Sequence, residues 1–281
     1  MHLTEALEKI IGELNRKQLD VISIKGPILS QRLYGDIGKR HYSDLDLVVR
    51  KNQFHEVVNV LKGMGYKMAH PDKVLDLEQW DFYFKYKKDV ALINRESNLI
   101  VELHVEIFRQ ELMKESAEAF AWHGLVEDRI GTVPVKSLNL NTTFLYLIYH
   151  GGQHLYFRLF WLKDISIALG SWDLDHNLIL EKAINLGVDR LLGMGLLLSH
   201  EYFGTYIPSE YDHYITKNRS VLIVLKNICN RRILGPERET RVWKLRRYRF
   251  VLLLQPGIRY YKSIFTNILY RRYIRKRLGG F

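Results

Sequence analysis

Apolar residues at 3, 6, 7, 10, 11 and 14 recur at the spacing of one helix face and predict a helix over residues 2–18. Val21–Ile24 follows as a short apolar strand that ends at Lys25-Gly26-Pro27. Pro27 suits the first turn of a helix, so residues 28–34 read as a short helix closed by Gly35. A loop, Asp36–Tyr42, leads into the strand Asp44–Val49. Asn52 is placed to cap a helix over 53–63, with Gly63 and Gly65 to end it. Residues 80–88 are aromatic-rich and predict a strand. After the turn-rich Asn94–Asn98, the segment Leu99–Ile107 alternates: Val101, Leu103, Val105 and Ile107 face one way, Glu102, His104 and Glu106 the other. A helix over roughly 110–122 and a short strand at 132–136 complete this part.

Beyond that point the period is helical, through 143–155, 157–169, 178–187 and 190–203, with breaks at Gly170, Gly187 and Pro208. Gly151-Gly152 weakens the first of these helices locally. The pattern predicts an α+β domain over 1–136 and an all-helical domain over 137–281.

The charge is uneven. Residues 231–281 hold 15 Lys/Arg and two acids, Glu237 and Glu239; the other 230 residues hold 27 Lys/Arg and 29 acids, out of a net +11. The positive balance therefore belongs to the C-terminal segment. There basic residues interleave with Trp243, Tyr248, Phe250, Tyr260, Tyr261, Phe265, Tyr270 and Tyr273, a mixture that suits RNA. Tyr261–Leu278 also fits a basic amphipathic helix for an anionic membrane surface, with Ile264, Phe265, Ile268, Leu269 and Ile274 beside Arg271, Arg272, Arg275, Lys276 and Arg277. A solvated helix packed by its apolar stripe is the ordinary alternative. A single cysteine, Cys229, makes no internal disulfide, and no Cys/His cluster has zinc spacing. No run of 18 apolar residues and no signal-like start is present, so the expected location is cytoplasmic, with no transmembrane segment.

The sharpest chemical feature is Asp44-Leu45-Asp46. Residues two apart on a strand share a face. Two such carboxylates repel unless a cation neutralises them, and Mg²⁺ (or Mn²⁺) prefers carboxylate oxygens together with substrate phosphates. The same pair also suits a solvated strand edge. Glu102, with His104 on its face, completes a three-carboxylate cluster if its strand lies beside Asp44–Val49; otherwise the alternation marks the polar face of a half-covered sheet. Lys25-Gly26 ends a strand and opens a helix, where free N–H groups attract phosphate. Arg40 and Ser43 precede the carboxylates and are placed for triphosphate oxygens; Arg40 can equally pair with Asp36. His150, His154 and Arg158 recur every four residues on one helix face, as cleft-lining groups or as buried, hydrogen-bonded ones.

The run Ile24-Lys25-Gly26-Pro27-Ile28-Leu29, then Leu33-Tyr34-Gly35-Asp36, then Arg40 through Ser43-Asp44-Leu45-Asp46-Leu47-Val48-Val49, resembles the uncharacterised nucleotidyltransferase family of the DNA polymerase beta superfamily. Glu102-Leu103-His104 and the helical His150-Gly151, His154, Arg158 and Trp161-Leu162-Lys163-Asp164 extend that likeness to about residues 20–170. The resemblance implies a polymerase-beta-like core, with Asp44, Asp46 and Glu102 as catalytic metal ligands. It implies that Lys25, Gly26 and Ser43 hold triphosphate. Gly26-Pro27 departs from the superfamily's usual Gly-Ser, the interval from Gly26 to Asp44 is longer than in its smaller members, and Glu102 stands where Asp is more frequent.

The implied reaction is Mg-dependent transfer of a nucleoside monophosphate from an NTP such as ATP to a hydroxyl or phosphate acceptor, releasing pyrophosphate. An RNA- or tRNA-modifying, toxin-like transferase, a small-molecule or peptide-tailoring transferase, and a degenerate nucleotide-binding or membrane-docking adaptor are the alternatives.

Overall fold

A computed structural model describes residues 3–71, 75–85, 87–108, 117–235, 241–257, 260–266 and 268–270. The described chain divides into two compact units. The first takes in residues up to 108, then 117–139 and 265–270; the second runs from Leu140 to Ile264.

The first unit is built on α1 (Leu3–Arg16), β1 (Val21–Ser23), α2 (Gly26–Tyr34), β2 (Asp44–Val49), α3 (Phe54–Gly63), β3 (Tyr66–His70), α4 (Leu77–Phe84), β4 (Asp89–Asn94), β5 (Leu99–His104), α5 (Ala117–Trp122), β6 (Val126–Ile130) and β7 (Val133–Ser137). The strands form one mixed sheet in the order β3-β4-β5-β2-β1-β7-β6. β2 runs parallel to β5 and antiparallel to β1, so it lies at the sheet's centre. Its Leu45, Leu47 and Val49 enter the same apolar core as Val101 and Leu103 of β5 and Leu7, Ile10, Ile11 and Leu14 of α1. Each fully buried side chain of this kind contributes roughly 1.5–3 kcal/mol. The alternate positions of β2 and β5 are thereby forced onto the opposite face, where the polar residues gather.

Residues 80–88 do not form a strand. Leu77–Phe84 is helical, opened by a capping box in which Asp76 accepts from the Gln79 backbone and Gln79 reaches back to residue 76. Trp80, Tyr83 and Phe84 then fall on one face and pack against each other, and Phe54 meets Trp80 and Phe84 at 5.1 and 4.8 Å. Packing on that face overrides the aromatic preference for strands. Asn52 does not cap α3: a 3-10 turn, Lys51–Gln53, precedes it without a side-chain cap. Of the expected helix near 110–122, residues 117–122 are helical and 109–116 lie outside the described residues.

The second unit holds α6 (Leu140–Gln153), α7 (Leu159–Ser171), α8 (His176–Leu186), α9 (Asp189–Phe203), α10 (Asp212–Lys217), α11 (Arg219–Ile233) and α12 (Arg241–Leu254). The glycine pair in α6 has a packing reason. A Cβ at Gly151 would lie 2.3 Å from the Tyr156 ring, and one at Gly152 2.8 Å from Leu191. Just past α6 the chain turns back through Leu155 and Tyr156, both at positive φ, and the Tyr156 N–H donates to the Gly151 carbonyl at 2.9 Å. No helix among the described residues is long and apolar enough to cross a membrane.

Candidate active site

The parallel register pairs Asp44 with Ile100, Asp46 with Glu102 and Val48 with His104. Partners in register share a face, so Asp46, Glu102 and His104 converge. Their ligand atoms lie within 4.8 Å of one another, and Asp44 is not part of that group. Asp46 and His104 are buried; Asp44 and Glu102 are half-buried.

β1 delivers Lys25 to the same point. Lys25 stands immediately before α2, and Gly26 takes φ +63 to swing the chain from strand into helix. A side chain at Gly26 would meet only ordinary contacts, the nearest at 3.8 Å, so its need for glycine comes from the left-handed backbone. The Lys25 Nζ sits 2.7 Å from Asp46 Oδ1. The residue expected at the triphosphate is here the counter-ion of the buried carboxylate.

On the far side the start of β4 and the residue before it add two groups that the sequence did not flag, Asp89 and Lys88. The antiparallel register sets Asp89 opposite His104. Lys88 Nζ lies 3.1 Å from His104 Nδ1 and 3.5 Å from Asp89. An ammonium has donors and no acceptor, so Nδ1 accepts and the imidazole proton is assigned to Nε2. Nε2–H then donates to Asp46 Oδ1 at 3.1 Å and points toward Glu102 Oε2 at 3.6 Å. Burial, together with the Lys88 charge, holds the His104 pKa below its ordinary value, in keeping with a neutral ring. His104 in this tautomer is a donor that orients Asp46.

Burial opposes ionisation of Asp46, but the Lys25 ammonium and the His104 hydrogen bond outweigh it and hold the carboxyl below its usual range. Burial and the Asp46 charge raise Asp44. Burial, then the Asp46 charge, push Glu102 up to about 7, with Asp44 and Asp89 adding to the rise. One carboxylate is thus fixed as the anion, and two neighbours are strained by its charge. A divalent cation relieves that repulsion, and the converging carboxylate oxygens of Asp46 and Glu102 match a hard ion. The residues present therefore fit such a metal.

Of the other expected site residues, Ser43 is exposed just ahead of β2, while Arg40 is buried with its backbone N–H donating to Ser30 Oγ at 3.0 Å. The Asp36 carboxylate accepts from the Gly38 N–H at 2.8 Å. In the second unit the His150 and His154 rings lie 5.1 Å apart, tilted to each other, and 5.2 and 5.3 Å from the Trp161 ring. The Arg158 guanidinium is 5.8 Å from the same ring and 5.3 Å from Phe157. The three residues do come together, around a buried tryptophan.

The family described as uncharacterised nucleotidyltransferase matches residues 1–204. Among solved structures, the crystal structure of ANT(2″)-Ia in complex with adenylyl-2″-tobramycin is similar at 14% identity and TM-score 0.41, covering 60% of this chain and 88% of that one. The solution structure of the antibiotic-resistance factor ANT(2″)-Ia is similar at 14% identity and TM-score 0.40, covering 60% and 83%. No curated protein matches. The family match spans well over half of the chain and takes in every residue of the β2–β5 cluster: the chain belongs to the uncharacterised nucleotidyltransferase family, and it is a transferase.

Proposed function

We propose that the protein transfers a nucleoside monophosphate from an NTP to a hydroxyl or phosphate acceptor in a reaction that depends on Mg²⁺ or Mn²⁺. The observation that carries this reading is the pairing of Asp46 with Glu102 across β2 and β5, closed by Lys25 at 2.7 Å from Asp46. Asp44, Asp46 and Glu102 would hold the cation, whose charge would draw in the triphosphate and favour loss of pyrophosphate. The acceptor oxygen attacks the α-phosphorus, the bond to the bridging oxygen breaks, and pyrophosphate leaves with that electron pair.

The chain's own groups divide the remaining tasks. Glu102, beside Asp46 on the adjoining strand, would also take the acceptor proton. Lys25, at the start of α2 next to the Gly26 backbone, would offer its ammonium to phosphate oxygens as well as to Asp46. Arg40 and Ser43 complete that grip. His104 keeps Asp46 oriented. For His150, His154 and Arg158, gathered around Trp161 in the second unit, a nucleotide- or acceptor-binding role is implied by the family resemblance alone. The location proposed is cytoplasmic.

Mass spectrometry of cell extract incubated with the purified protein, Mg²⁺ and each NTP in turn tests the reaction. The expected result is the mass gain of one NMP on a discrete RNA, peptide or small molecule, with matching pyrophosphate. Hydrolysis of NTP alone, or no product with any of them, overturns it.

A further inference from the structure

Seven of the seventeen exposed large hydrophobic residues among the described ones fall between 242 and 269. Four of them, Val242, Leu245, Tyr248 and Leu252, lie on α12. Leu245 and Leu252 are two turns apart and stack along one line of the helix, with Val242 and Tyr248 beside that line. Leu245 is 70% exposed and Leu252 46%. Tyr261, Phe265 and Leu269 are exposed as well.

The orientation of α12 is held from its other side. Phe250 and Leu254 are buried. Arg190 donates to the Leu253 carbonyl at 2.7 Å, Gln255 Nε2 to the Gly187 carbonyl at 2.6 Å, and the Tyr260 hydroxyl to the Val251 carbonyl at 2.7 Å. The aliphatic line therefore faces outward by construction of the helix. Exposed Lys244 and Arg249 flank it, and residues 241–257 contain no acidic residue.

We propose that the outer face of α12 docks the protein peripherally on an anionic phospholipid surface. Charge complementarity chooses this occupant. Leucines enter the acyl boundary while flanking Lys and Arg reach back to headgroup phosphates. Single-stranded RNA fits poorly, because bases stack on aromatic faces and three of the four exposed apolar residues are aliphatic. The remaining part of the amphipathic segment expected over 261–278 falls on residues 271–281, outside the described residues.

The test is sedimentation of the full-length protein with vesicles of phosphatidylcholine alone and of phosphatidylcholine mixed with phosphatidylglycerol. Binding is expected to the mixed vesicles only. Leu245→Ser with Leu252→Ser, which leaves charge untouched, is expected to weaken it by about tenfold or more; Lys244→Gln with Arg249→Gln is expected to weaken it by at least several-fold. All four sites are exposed, and thermal melts check that the variants stay folded. Retention of full vesicle binding by the leucine variant overturns the proposal. So does binding of RNA with none to vesicles, or a dimer that the leucine substitutions dissociate.

Discussion

The β2–β5 pair and helix α12 both set charge beside apolar side chains, with opposite outcomes. At the strand pair charge is enclosed and answered: Lys25 meets Asp46, and Lys88 stands between His104 and Asp89. On α12, Lys244 and Arg249 stand in solvent along a stretch without a single acid. Burial makes each charge at the strand pair depend on its partner, because an ion left alone in a low-dielectric interior is costly. Exposure makes the charges of Lys244 and Arg249 nearly independent of the fold. The first arrangement is the site proposed for the chemistry; the second is the surface proposed to dock on lipid.

Breaking the enclosed network has the largest expected effect. Asp46→Asn is expected to lower NMP transfer by on the order of 10³-fold or more. It also strands the Lys25 ammonium and is expected to cost roughly 3–5 kcal/mol of stability by denaturant titration. Adding Lys25→Met should recover part of that stability and none of the activity, which separates the structural role of the pair from its chemical one.

Lys88→Met removes the donor that fixes the His104 tautomer while leaving the carboxylates in place. The expected loss is about 10–100-fold in kcat, with a shift in the His104 ring-nitrogen NMR resonances as the imidazole redistributes its proton. Activity and resonances both unchanged would remove Lys88 and His104 from the account of how Asp46 is oriented.

Glu102 gives a pH signature. Its folded pKa, about 7, lies above the ordinary 4.5 of an unfolded glutamate, so the folded state favours the protonated form. Stability from this group is fully present below about 4.5 and is lost as pH rises through about 7. Without divalent ions, Glu102→Gln should therefore gain stability over the parent as pH rises across that window, in thermal melts. Mg²⁺ should close the gap by stabilising the parent carboxylate. The smallest effect is expected on the open surface: Arg249→Gln should change stability by no more than about 0.5 kcal/mol at any of these pH values. A larger change would mean that α12 is tied to the fold through its charge.

Strands β1, β2, β5 and β7 were readable in the sequence; β3, β4 and β6 were not. Asp44–Val49 and the segment from Leu99 alternate cleanly because one face of each is core and the other is site. Tyr66–His70 and Val126–Ile130 escaped notice because they are the two edge strands, β3 and β6, where exposed and charged positions erase the period. The run from Trp80 misled because three aromatics spaced for a helix face also look like a strand until Phe54 supplies the surface they pack on. Within the site, Asp46 and Glu102 were readable as a pair conditional on their strands being neighbours. Lys88 and Asp89 were not, since only the β4–β5 register carries them to His104, and a register leaves no local motif. The Lys-Lys-Asp run at 87–89, ahead of the apolar Val90-Ala91-Leu92-Ile93, was the available signal.

The most direct measurement is label transfer from α-phosphorus-labelled NTPs by the parent protein and by Asp44→Asn with Asp46→Asn, each with Mg²⁺ and with a chelator, and with folding checked by circular dichroism. The account predicts label on an acceptor only for the parent with Mg²⁺. Equal transfer by the folded double variant, or by the parent under chelation, would contradict it.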